Sequence, residues 1–205
     1  MSKISGILLA AGKSSRFGPD KLLYELTIAG IRQPLIQHTL SAWISALDTL
    51  SVVIRTDTPL LRQTIQNVAE FHNTEINVIE CQTATLGMGH SLSAAIAANV
   101  NADGWVIGLA DMPLIPRSVL TQVHQNLILG ADITAPYFEH RRGHPVGFKA
   151  CYKDELLALK GDSGAKKLLE RDIEKIHKIK TDYQGVLADI DYVNDVSMIE
   201  RFSKS

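Results

Sequence analysis

Between Leu9 and Lys21 the chain reads Leu-Ala-Ala-Gly-Lys-Ser-Ser-Arg-Phe-Gly-Pro-Asp-Lys. Gly12 and Gly18 let backbone N–H groups come close to an oxyanion, and Lys13, Arg16 and Lys21 supply positive charge. That combination suits a phosphate cradle. Two common nucleotide loops are excluded. The pattern Gly-x-Gly-x-x-Gly is absent, because Ser14 stands two residues after Gly12. A Walker A loop needs a glycine five residues before its Gly-Lys-Ser/Thr; Gly12-Lys13-Ser14 has Ile7 there, and Gly18 is followed by Pro19 and Asp20. The remaining alternatives are a different triphosphate loop and an ordinary strand-to-helix connection with solvated lysines.

A nucleoside triphosphate carries several negative charges, and attack on its α-phosphate requires them to be offset. Mg²⁺ does this, and it prefers a small number of carboxylate oxygens. Asp111 directly follows the apolar run Trp105 to Ala110 and precedes Pro113. It is expected either to hold such a metal or to cap a turn. Asp189 and Asp191 are separated by one residue, so an extended segment points both to one face. Three further segments carry candidate chemistry. Gly87, Met88 and Gly89 precede a helix expected to start near Ser91, whose hydroxyl could cap it. Backbone groups there could bind an anion or a base edge, or simply form a capped turn. Arg141 to Pro145 is a basic, glycine-containing turn that could receive a second, phosphorylated substrate. Asp162, Ser163 and Gly164 stand at another expected helix start, where phosphate binding and simple capping explain the residues equally well.

These side chains need a scaffold. Ile4–Ala10, Leu50–Arg55, Ile76–Cys81 and Trp105–Ala110 are short apolar runs that read as buried strands. Between them lie helical patterns: Pro34 through Leu47, Leu60–Phe71, Ser91–Val100 and Pro116–Leu129, the last with proline in its first turn. Strands alternating with helices indicate an α/β fold: a mostly parallel central sheet flanked by helices on both faces. In such sheets ligands sit beyond the carboxyl ends of the strands, where the loop after Leu9 and Asp111 both fall. After Ile133 the pattern loosens to Gly143–Phe148, two helical stretches (Lys153–Leu159 and Gly164–Glu170) and a tail from Asp189. Lys178 and Lys180 read as a solvated strand face.

No repeat or long linker interrupts the chain, and residues 1–205 are expected to form one domain. Lys and Arg number 21 against 22 Asp and Glu, so no global field favours nucleic acid or an anionic membrane. Anionic ligands must be held locally. Cys81 and Cys151 lack a Cys-x-x-Cys spacing and are expected to be buried, reduced thiols rather than a pair. The run Ile7 to Ala11 is too short for a signal sequence, and no transmembrane stretch is present. A cytoplasmic location is expected.

The loop Leu-Ala-Ala-Gly-x-x-x-Arg-Phe-Gly-x-x-Lys resembles the signature of the molybdopterin nucleotidyltransferases, within the sugar-nucleotide pyrophosphorylase-like superfamily. It is most similar to the molybdenum cofactor cytidylyltransferases, in which methionine usually stands at the place of Phe17. Gly87-Met-Gly-His-Ser91, Leu109-Ala-Asp-Met-Pro113, Gly143-His-Pro-Val-Gly147, Gly161-Asp-Ser-Gly-Ala165 and Asp189-Ile-Asp191 resemble further family motifs in the same order. The likeness therefore spans nearly the whole chain, and it implies a Rossmann-like nucleotidyltransferase fold. It implies nucleotide binding by Leu9, Ala10, Ala11, Gly12, Arg16, Lys21, Gly87, Ser91 and Asp111, with Arg16 and Lys21 catalytic. It further implies Mg²⁺ on Asp111 and Asp191, and His144 at the acceptor pocket. Tyr192, Val193, Asn194 and Asp195 stand where the family has Thr-Pro-Glu-Asp. Ala11 resembles the cytidylyl-transferring relatives, since guanylyl-transferring ones carry Leu-Ala-Gly-Gly. The implied reaction moves CMP from CTP to molybdenum-bearing molybdopterin, with a molybdenum hydroxylase or its accessory protein receiving the product. The rival readings are a related transferase using GTP or another phosphorylated acceptor, and a non-catalytic chaperone for the cofactor.

Overall fold

A computed structural model describes residues 2–14, 16–18, 21–192, 194–196 and 199. Its centre is β1 (Ile4–Leu9), an apolar run buried on both faces. It pairs in parallel with β4 (Leu50–Ile54) on one side and with β6 (Gly104–Leu109) on the other. β4 in turn pairs in parallel with β5 (Ile76–Glu80). The chain thus builds outward from β1 through β4 to β5, then returns to lay β6 on the opposite flank. The crevice between β1 and β6 is the point where strand order reverses, and there the loops leaving the two strands diverge.

Beyond β6 the sheet is mixed. β7 (Ile133–Phe138) and β9 (Val146–Lys149) are antiparallel to each other, and β9 is antiparallel to β6. The short β8 (Arg141–Arg142) pairs with β7, and β10 (Ile176–Lys180) closes this edge in parallel with β7. The order is β10-β7-β9-β6-β1-β4-β5. Lys178 and Lys180 are exposed on β10 as expected.

Strand alternation sends neighbouring side chains to opposite faces. Leu8, Val52 and Val106 pack beneath α1 (Leu35–Ala46), α2 (Pro59–Phe71) and α4 (Arg117–Ile128), with Trp43 of α1 fully buried. Ile7, Val53 and Trp105 pack on the other face. There they meet α3 (Met88–Ala98), α5 (Lys153–Leu157) and α6 (Lys166–Arg171). Helices cover both faces, as the alternating pattern requires. Among the described residues no helix is long and apolar enough to cross a membrane.

A small hairpin, β2 (Glu25–Ile28) and β3 (Ile31–Pro34), was not expected. Its two-residue turn places Ala29 and Gly30 at φ 51° and 80°, the left-handed pair that matches hairpin twist. Leu26 of this hairpin, Leu35, Ile190, Val196 and Ile199 form a separate apolar cluster. That cluster fixes the tail carrying Asp189 and Asp191 against the rest of the molecule.

Three local expectations need correction. Ser91 does not cap α3: the helix begins at Met88, and Ser91 is buried inside it. Gly87 occupies the cap position without a side chain, and the free N–H of Gly89 donates to the Gly161 carbonyl at 2.7 Å. Asp162 and Ser163 do not cap α6 either, since Ala165 holds that place. Both cysteines are free, but only Cys81 is buried; Cys151 is exposed, in the short turn that follows β9.

Candidate active site

At the carboxyl ends of β1 and β6 lies a cleft of about 550 Å³. Leu9, Ala10, Ala11, Gly12, Arg16 and Lys21 line it from the first loop. Gly87 and Ser91 line it from the start of α3, Asp111 from the end of β6, and Asp191 from the tail. Residues far apart in sequence therefore converge where the sheet's switch point predicts a ligand. Ser15, Pro19 and Asp20 of the loop, and Val193 of the tail, lie outside the described residues.

The charged groups divide sharply. The Lys21 side chain is only 8% exposed, and its ammonium is 2.6 Å from Asp111 Oδ2. It also donates to the Ile190 carbonyl at 2.6 Å and lies 3.9 Å from Asp191 Oδ1. Arg16 is instead 65% exposed, 3.3 Å from Asp191 Oδ2, with its guanidinium 5.9 Å from the centre of the Tyr192 ring. The loop therefore presents one buried, fully engaged cation, Lys21, while Arg16 and Lys13 are exposed at the cleft. Asp111 is held by its strand: Ile190 donates its N–H to the Asp111 carbonyl, and Thr39 of α1 donates to the neighbouring Ala110 carbonyl at 2.9 Å.

Asp111 Oδ1 is buried and has no hydrogen-bond partner. A carboxylate oxygen in that state is costly unless a ligand completes it. Asp189, which also lines the cleft, has its carboxyl pushed up chiefly by burial, with repulsion from Asp111 and Asp191 adding to it. The cleft is thus short of positive charge. Among the described residues no group of three His, Cys, Asp or Glu is placed to hold a metal ion. Two carboxylates suffice for Mg²⁺, which keeps several waters and takes substrate phosphates as further ligands. The open oxygen of Asp111 and the adjacent Asp191 fit that requirement.

The altered tail segment is ordered by Asp195. Its Oδ2 accepts the N–H groups of Asp191 at 2.8 Å and Tyr192 at 2.7 Å. A carboxylate retained at this position keeps the turn, while Tyr192 adds the ring against which Arg16 rests.

His144 does not line the cleft. Its backbone N–H donates to the Val186 carbonyl at 2.9 Å, and its Nδ1 is buried without a partner. Burial, assisted by Arg142, pulls its pKa down to about 4. The sign of the consequence is definite. An unfolded histidine titrates near ~6.5, so below that pH the unfolded state binds the proton first and folding weakens until about pH 4. Over that window the wild-type protein is expected to lose roughly 2–3 kcal/mol that His144→Gln does not lose. Denaturant titrations at pH 7 and pH 4.5 check this. Parallel losses in the two proteins would show that His144 does not carry the effect.

Several contributors went unread in the sequence. Arg55, just past β4, donates to the Gly12 carbonyl at 2.9 Å and so braces the phosphate loop from the neighbouring strand. Its position at a strand's carboxyl end was the available signal. Asp162 lines the cleft beside Gly87, although it had been set aside as an equivocal cap. A larger depression of about 1210 Å³ lies at the opposite, amino-terminal edge of the strands. Its Ser5, Ser51, Asn77 and Asn99 side chains satisfy one another.

Known proteins share this architecture. The chain is 31% identical over 206 residues to the purine catabolism protein PucB of Bacillus subtilis, covering 96% of this chain and 95% of that one. It is 28% identical over 174 residues to a probable molybdenum cofactor guanylyltransferase of Thermococcus sibiricus, covering 83% and 74% respectively. Among solved structures, Rv0371c of Mycobacterium tuberculosis in complex with manganese superposes with a TM-score of 0.74 at 23% identity, over 98% of this chain and 99% of that one. That neighbour's fold accommodates a divalent metal. The MobA-like NTP transferase domain matches residues 6–177, and the chain belongs to this family of nucleotidyltransferases.

Proposed function

We propose that the protein transfers CMP from CTP to molybdenum-bearing molybdopterin in a Mg²⁺-dependent reaction that releases pyrophosphate. The observation that carries the metal-dependent part is the buried Oδ1 of Asp111, which has no hydrogen-bond partner although its residue lines the cleft between β1 and β6. The terminal phosphate of the pterin attacks the α-phosphorus, a new P–O bond forms, and the bond to the β-phosphate oxygen breaks. The nucleophile is already an anion, so no strong general base is needed, and positioning with electrostatic stabilisation carries the rate. Asp111 and Asp191 would hold Mg²⁺, which would supply the charge neutralisation needed to bring two polyanions together.

The chain's own groups have separable tasks. Gly12 admits phosphate oxygens close to the backbone. Arg16, exposed at the cleft and resting on Tyr192, stabilises the departing pyrophosphate. Lys21 fixes the Asp111 carboxylate from behind. Gly87 and Ser91 border the base and ribose. His144 lies away from the cleft and would act on the acceptor only through the β8–β9 segment.

Ala11, buried at the cleft wall, supports CTP, while the guanylyltransferase relative keeps GTP as the competing nucleotide. PucB's name places that relative in purine catabolism, a process compatible with delivery of the product to a molybdenum hydroxylase or its accessory protein. Pyrophosphate release measured with CTP and GTP, each with Mg²⁺ and the molybdopterin acceptor, tests the reading. CTP is expected to exceed GTP at least tenfold. Preference for GTP would overturn the base assignment, and tight pterin binding without release from either nucleotide would indicate a cofactor carrier.

A further inference from the structure

The cleft contains a cation of its own, in contact with both carboxylates that the proposed reaction assigns to the metal. The ammonium of Lys21 is 2.6 Å from Asp111 Oδ2 and 3.9 Å from Asp191 Oδ1, and the Ile190 carbonyl holds it at 2.6 Å. These contacts make it a bridge between the first loop and the tail. The side chain is buried, and the turn it starts, Lys21–Leu23, places Leu22 and Leu23 against the core. The ammonium therefore cannot retire into solvent without disturbing packed groups.

We infer that Lys21 acts as an internal counter-ion that keeps divalent metal out of the empty site, so that metal is loaded together with the triphosphate. A dication on the open Oδ1 of Asp111 would share one carboxylate with the ammonium, and the low-dielectric wall would screen their repulsion poorly. A triphosphate reverses that balance by bringing several negative charges into the same space. Arg16 cannot play this part, because it is exposed and reaches only Asp191. The benefit is that Asp111, a carboxylate with one unpartnered oxygen, is held in place at the cleft between turnovers by its contact with the ammonium.

This inference rests on Asp111 and Asp191 as the metal ligands. It is tested with Mn²⁺ alone, titrated into the full chain without nucleotide and followed by the electron paramagnetic resonance of free Mn²⁺. Lys21→Met is expected to bind Mn²⁺ at least tenfold more tightly than wild type, and adding Asp111→Asn is expected to erase the gain. Lys21→Gln, which keeps a donor for the Ile190 carbonyl, replaces Lys21→Met if the latter does not fold. Unchanged Mn²⁺ affinity in the folded variant would overturn the inference, as would a gain that survives Asp111→Asn. If wild type releases pyrophosphate from CTP while neither variant gains Mn²⁺ affinity, the inference alone fails. A gain in Mn²⁺ affinity in a protein that turns over no nucleotide would leave the counter-ion role standing and remove the proposed reaction.

Discussion

Asp111→Ala is expected to lower pyrophosphate release by roughly 10³-fold or more, the scale on which charge stabilisation at a phosphoryl centre operates. The loss arises in two ways. The open Oδ1 disappears as a ligand, and Lys21 loses the carboxylate that holds it at 2.6 Å. The second effect reaches stability, because removing one partner of a buried pair leaves the other uncompensated, at a cost of about 3 kcal/mol. Ile190's carbonyl and Asp191 remain near the ammonium and soften that cost. Asp111→Asn separates the two contributions. It keeps the shape and an acceptor for Lys21 but removes the negative charge. Its turnover is expected to fall nearly as far, with a smaller change in melting temperature. Purified, folded Asp111→Ala retaining near wild-type activity would remove Asp111 from the reaction.

Gly87→Ala is expected to damage both stability and nucleotide binding, without touching any charged group. Gly87 sits at φ 119° and ψ 168°, a region essentially restricted to glycine. A Cβ there would lie 2.4 Å from Asp162 Oδ1 and from the Gly161 carbonyl carbon, and 2.5 Å from the Gly161 oxygen. The side chain of Asp162 can rotate away, but the backbone of Gly161 cannot move freely. It accepts the N–H of Gly89 at 2.7 Å, and its own N–H donates to His90 Nδ1 at 3.2 Å. Strain and overpacking together should cost roughly 2–4 kcal/mol. The displaced segment also opens the cleft wall at Asp162, so nucleotide affinity should fall at least tenfold. Denaturant unfolding and nucleotide titration of the same preparation measure the two effects. Gly87→Ala within about 0.5 kcal/mol of wild type, the scatter of an ordinary surface change, would mean the contact relaxes and the argument fails.

The sequence by itself determined the parallel half of the sheet and which residues meet at one cleft. β1, β4 and β6 are buried on both faces, so they must be continuous apolar runs, and such runs are readable without knowing what covers them. A glycine-bearing loop after β1 and an aspartate after β6 then fall at the ligand-binding edge by topology alone. Elements outside that parallel half were less legible. β7 carries Pro136, β8 is two residues long, and the β2–β3 hairpin turns on Ala29-Gly30 rather than a stronger turn pair. Local sequence also misassigned Ser91, because the start of α3 is satisfied by a distant carbonyl and not by a neighbouring hydroxyl.

Only the tertiary structure decided how Arg16 and Lys21 differ. Arg16 and Lys21 have the same sign in the same short segment, and nothing in their spacing separates a surface cation from a buried one. The separation comes from the Ile190 carbonyl and the Leu26–Ile190–Val196 cluster, which bring the tail down over Lys21 and leave Arg16 outside. It likewise left His144 out of the cleft lining and placed Arg55 against the Gly12 carbonyl. Residue type and order specify which charges a site can contain. Burial and partners set what each charge is free to do, and those depend on segments that meet only when the chain has folded.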